Sequence, residues 1–325
     1  MRFACCLFAS VASIASFASA DAFDPVRVPA DAAWVIHVDV DAFTKSHAWQ
    51  LAEPNLRRMK HFTERLEQIE RMVDVKLPDD VHGVTVLSTE VDGENAVVVI
   101  DSEAKPQRLI ALVSLSSSYN VETDENGREL HHWADGGKAI YASFLTDHRL
   151  AVSPSREQLK KVVAIAAGKA EGLKADSALA RGVSSSTTVP ATEPTITPIV
   201  YAASRNIAEL ATVRQARARL FDRLESGWVI LGEQPGSLAL HAEFNAVNWR
   251  SAQGVKVLLN GAGSMISMVL PERNANLELF AELLETMQAE SEGAIVKVNW
   301  PIAYEKVEAV MKSHGLDVSG PTTRP

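Results

Sequence analysis

The stretch Val28-Arg-Val-Pro-Ala-Asp-Ala-Ala-Trp-Val-Ile-His-Val-Asp-Val-Asp-Ala-Phe43 decides how the rest of the chain is read. From Trp34 to Val40 the residues alternate, with Trp34, Ile36, Val38 and Val40 on one side and Val35, His37 and Asp39 on the other. That two-residue period belongs to a strand with one buried face. The strand leads into a long amphipathic pattern, so folded chain starts here and everything before it reads as export signal and leader.

Upstream, Arg2 is the only charge ahead of an apolar run from Phe3 to Phe17, and Ala18-Ser19-Ala20 precedes Asp21. A positive start, an apolar stretch and a small-x-small site predict a signal peptide over residues 1–20, cut after Ala20. The alternative is retention as an anchor, but the run is shorter than the ~20 residues a span needs. The expected location is therefore the periplasm, the cell envelope or the extracellular space. Cys5 and Cys6 both lie inside the signal. The mature chain would have no cysteine, which excludes disulfides, thiolate metal sites and a cysteine nucleophile.

Of the 32 basic residues Arg2 leaves with the signal, so 31 face 41 acidic ones. Such a surface repels nucleic acid phosphates and anionic lipid. Nucleic acid is not an expected partner, and no integral membrane segment is expected in the mature chain.

The 325 residues suffice for two domains. Residues 21–172 read as the first, an α+β unit. A Pro-containing leader and the first strand are followed by an amphipathic helical pattern over Thr44 to Val73, interrupted or restarted at Pro54. Two β-rich runs, Val84 to Thr89 and Ala96 to Asp101, flank Asp92-Gly-Glu-Asn95 as a hairpin. A short helix over Pro106 to Leu115 precedes four strands near 119–123, 129–134, 139–144 and 149–153, joined closely enough to be antiparallel neighbours. Ser153-Pro154-Ser155 starts a helix that ends at Gly168.

Residues 173–198, rich in Ser, Thr and Pro, read as a linker or exposed excursion. Residues 199–315 form the second α+β unit. It is expected to hold a helix over Ile207 to Leu224, paired strands at 228–232 and 237–244, a helix capped by Asn248 and ending near Gly261 to Gly263, and another capped by Asn276. A last strand at 294–298 and a helix over Pro301 to Lys312 follow, and 316–325 reads as a disordered tail. The fold class is α+β, two units that each pack a mainly antiparallel sheet against amphipathic helices. The parallel order of elements fits a degenerate duplication and equally fits common strand-helix grammar.

Chemistry-bearing residues are sparse. Ile36-His-Val-Asp-Val-Asp-Ala-Phe43 resembles the opening motif of Y-family DNA polymerases, a resemblance that would make Asp39 a magnesium ligand. Thr44-Lys-Ser-His47 departs from that motif and no second carboxylate motif follows, so Asp41 reads instead as the cap of the next helix. No histidine pair has helical chelate spacing. His131 and His132 are consecutive in a strand and point to opposite faces. The weak metal candidates are His37, Asp39, His132 and His148, the last two able to meet across a hairpin. Gly261-Ala-Gly-Ser-Met265 lacks the strand-turn-helix setting of a nucleophile elbow. The arginines at 214, 217, 219 and 223 are interleaved with acids and read as a solvated helix.

The signal, the Val-Pro-Ala-Asp-Ala-Ala-Trp entry to the first strand, Leu-His-His-Trp at 130–133 and Leu-Ala-Val-Ser at 150–153 together are similar to exported proteins of unknown function from planctomycete-type bacteria. That resemblance implies fold and compartment and brings no activity. The expected function is a non-catalytic envelope or periplasmic protein that binds a protein, glycan or lipid partner, with no cofactor. The alternatives are an extracellular hydrolase acting on a polymer, which His132 or Asp39 would serve, and a lipid or small-ligand carrier.

Overall fold

The structure, a computed structural model, describes residues 23–125, 127–182, 196–210, 221–269 and 281–318. The expected signal peptide, half of the Ser/Thr/Pro-rich stretch, the start of the helix capped by Asn276 and the end of the tail lie outside those residues.

Strand β1 (Trp34–Asp39) runs into three consecutive helices, α1 (Val40–Lys45), α2 (His47–Arg58) and α3 (Lys60–Val73). The hairpin β2 (Val81–Ser88) and β3 (Val97–Ser102) follows, then α4 (Pro106–Val113) and the meander β4 (Asn120–Thr123), β5 (Glu129–Asp135), β6 (Lys138–Thr146) and β7 (Arg149–Ser153). Helix α5 (Arg156–Ala166) closes this half. The second half holds β8 (Thr197–Ser204), β9 (Leu224–Gln234), β10 (Ser237–Ala246), α6 (Trp249–Val269), β11 (Gln288–Glu292), β12 (Ile295–Ala303) and α7 (Tyr304–Ser313).

The protein is α+β, and the strands of the described residues form one antiparallel sheet of 12 in the order β11-β12-β10-β9-β8-β1-β2-β3-β7-β6-β5-β4. The strands of the two expected units thus join edge to edge, because β1 pairs with β8 on one side and β2 on the other. Register rows fix which side chains share a face. Val35 aligns with Leu87 and Ala203, and Ala203 with Trp228, all on the face that α5 covers with Leu159, Val162 and Val163. The opposite face is covered farther along, where α6 buries Ala252 and Val255 against Ala242, Val296 and Val298. This strand order alone does not confirm the expected duplication.

Several local expectations need correcting. The buried side of β1 is Val35 and His37, whereas Ile36 is 42% exposed. A central strand with apolar residues on both sides does not reveal by alternation which side receives the helix. The leader is no loose extension: Pro25–Arg27 forms a short 3-10 turn, Val28 is buried, Pro29 bridges Gly172, and Leu173 N donates to Val28 O at 2.9 Å. Leu173, Leu179 and Ala180, at the start of the stretch read as a linker, are likewise buried in the core.

The helical run breaks at Ser46 and Met59, not at Pro54, which lies inside α2. The cap of α1 is Asp39, whose Oδ1 accepts from Ala42 N at 2.8 Å, and not Asp41. Asn248 does cap α6, accepting from Ser251 N at 2.9 Å, but the helix continues through Gly261 to Val269. A glycine inside a helix costs only about 1 kcal/mol. On the same helix Asn260 bonds both N and O of Ala289 and so ties α6 to the edge strand β11. Pro301 sits within β12, past Asn299 where pairing with β11 ends, and a strand edge tolerates a proline. Ile207–Glu209 and Phe221–Arg223 are 3-10 turns, and the middle of the helix expected there lies outside the described residues. The tail is held at its start, where Asp317 exchanges hydrogen bonds with Asn55 of α2 and pairs with Arg58.

Candidate functional site

On the α5 side of the sheet a cavity of about 320 Å³ opens between the strands, α5 and the segment Phe23 to Val28. Its floor is set by register. One row holds Gly83, Asp101 and Arg149, the next His37, Thr85, Val99 and Ala151, and the next Val35, Leu87 and Val97. Charge therefore sits at one end of the floor and aliphatic side chains at the other. Val162, Ile165 and Ala166 of α5 and Val28 complete the wall.

At the charged end Asp101 and Arg149 form an ion pair whose side chains are 16% and 13% exposed. In the segment above, Arg27 pairs with Asp24 at 2.9 Å. His37 Nδ1 lies 2.9 Å from Thr85 Oγ1, and its ring fits because residue 83 is glycine: a Cβ there would come within 3.3 Å of His37 Cε1. Phe23 stacks on Tyr201 at 4.6 Å and leans on His37 at 5.6 Å, closing the wall. Tyr201 donates to Leu179 O, and burial pushes its phenol well above the usual range.

Of the four residues singled out as metal candidates, only His37 lines this cavity. Asp39 is spent on capping α1. His132 packs against Tyr141 at 5.8 Å, while its neighbour His131 turns to the other face and meets Tyr119 Oη at 2.9 Å. Burial lowers the His131 imidazole, and Glu129 only partly offsets this. His148 pairs with Glu103 on the surface. Among the described residues no three His, Cys, Asp or Glu side chains converge so as to hold a metal ion. Asp101, Arg149, Thr85 and Phe23 were not visible as site residues in the sequence. The signal that could have found the first two is a charge on the buried parity of an apolar strand, Val97-x-Val99-x-Asp101 and Arg149-x-Ala151.

Two further polar groupings are built into the fold. Glu233 accepts from His47 N at 2.7 Å and from the Tyr304 hydroxyl, joining β9 to α2 and α7. Burial and then the Glu233 contact raise the Tyr304 phenol. Near the cavity's charged end, His82 lies between Asp41 and Glu103, each at 3.2 Å, and Glu103 in turn faces His148. Burial alone would lower the His82 imidazole, but the hydrogen bonds and charges of Asp41 and Glu103 outweigh it and raise the pKa. A histidine raised above its unfolded 6.5 contributes stability that is fully present below that pH and lost as pH rises through the folded value. Thermal melts of the full chain and of His82→Gln are therefore expected to differ most below pH 6.5 and to converge on the alkaline side. A gap that widens with pH would contradict the Asp41–His82–Glu103 linkage.

Neither a family model nor a curated protein matches this chain. Its fold is similar to TP0453. Crystal form III of that Treponema protein aligns at 11% identity with a TM-score of 0.47, over 90% of this chain and 99% of that one. Crystal form IV aligns at 12% identity and 0.46, over 89% and 97%. The likeness concerns the course of the chain and assigns no residue a role.

Proposed function

We propose that the protein is an exported, non-catalytic binding protein that holds a small molecule in the cavity beneath α5. Export rests on Arg2, the apolar run to Phe17 and the Ala18-Ser-Ala20 site. Binding rests on one observation: a cavity of about 320 Å³ with an aliphatic floor at one end and polar groups gathered at the other. Sites for small ligands have that character and start near 300 Å³. A second hollow of about 330 Å³, on the opposite face around Trp34, Ile36 and Phe244, is more uniformly apolar and has no comparable ion pair among the described residues to orient a ligand.

The polar groups of the first cavity are arranged for recognition. Thr85 sits against His37, and Asp101 against Arg149. Native mass spectrometry of the full chain, purified without detergent, is expected to show a bound small molecule in wild type and none in Val99→Phe, which fills the cavity floor. Equal retention by both, or a wild type that neither carries nor is stabilised by any small molecule, would contradict the reading.

A further inference from the structure

The geometry points to an uncharged amphiphile as the ligand, a short aliphatic chain ending in a hydroxyl or amide. This inference rests on reading the cavity as a ligand site. Among the described residues the charged groups in its wall are two cations and two anions, with Arg27 against Asp24 and Arg149 against Asp101. A ligand carboxylate drawn to Arg149 would meet Asp101 beside it, and an ammonium drawn to Asp101 would meet Arg149. Either would bring an unmatched charge beside the poorly exposed Asp101–Arg149 pair, which is costly. A hydroxyl or amide adds no charge and can both donate and accept, which suits a wall that presents guanidinium and carboxylate together.

Length follows from the strands. Side chains on one face of a strand recur about every 6.8 Å, so the step from the Asp101 row to the Leu87 row spans about 14 Å. A volume of about 320 Å³ holds on the order of ten water- or methylene-sized groups. The head lies at Asp101, Arg149 and Thr146, and the chain runs past Val99 toward Leu87 and Val162.

Titration calorimetry of the full chain at pH 7 with 1-octanol, octanamide, octanoate and octylamine tests this. The alcohol and the amide are expected to bind, and the acid and the amine at least tenfold more weakly. Octanoate or octylamine binding as tightly as octanol would overturn the uncharged class while leaving the cavity as a ligand site. Binding by none of the four would overturn the cavity reading itself. Octanol binding that survives Val99→Phe would place the site elsewhere and overturn both.

Discussion

Arg149→Leu is expected to destabilise the protein by about 3–5 kcal/mol, because it strands the Asp101 carboxylate on the buried side of the sheet. The pair joins β3 to β7 at 16% and 13% exposure, so water reaches it poorly. The sign of the second step separates this account from simple loss of packing. Removing both charges together, as Asp101→Leu with Arg149→Leu, avoids the stranded charge, and the double variant is expected to recover most of the loss, to within about 1–2 kcal/mol of wild type. Urea unfolding of the two single variants, the double variant and wild type gives the coupling directly. Additive losses would show that the pair contributes nothing as a pair.

Gly172→Ala is expected to cost on the order of 3 kcal/mol and to open the cavity. A Cβ at 172 would fall inside the Val26 carbonyl, and the obstacle is backbone, which cannot rotate away. The segment Phe23 to Val28 would have to lift, exposing Val28 and loosening the Phe23–Tyr201 stack. Burial of one large apolar side chain is worth about 1.5–3 kcal/mol. Gly168→Ala supplies the control, with a φ of +69° and nothing within 4 Å of a Cβ, so only the left-handed backbone is penalised, by about 1–2 kcal/mol. Urea unfolding should rank 172 above 168, and amide exchange in Gly172→Ala should speed up at Val28 and Leu173. Equal costs, with unchanged exchange at Val28, would mean that the segment is not pinned there.

Alternation and turn residues made the hairpin of β2 and β3, the strands from β4 to β7 and the pair β9 and β10 legible, because those contacts are local in sequence. Helix α5 was legible for the same reason, from Ser155 to Gly168. The joins that give the sheet its final order are not local: β3 lies beside β7, and β1 beside β8. Asp101 and Arg149 therefore looked like two separate strand-end charges, and only the β3–β7 register makes them a pair. Strand β11, Gln-Ala-Glu-Ser-Glu, escaped because an edge strand needs one buried residue and Ala289 supplies it. His37 was legible as a candidate but not its surroundings, since Phe23 and Tyr201 reach it from segments 14 residues before and 164 after.

The most direct measurement is anomalous diffraction from crystals of the full chain soaked with 8-bromo-1-octanol. The account predicts a bromine peak among Leu87, Val99 and Val162, with the hydroxyl toward Asp101 and Arg149. A peak instead in the opposite hollow beside Trp34 and Phe244, or no ordered bromine at all, would contradict it.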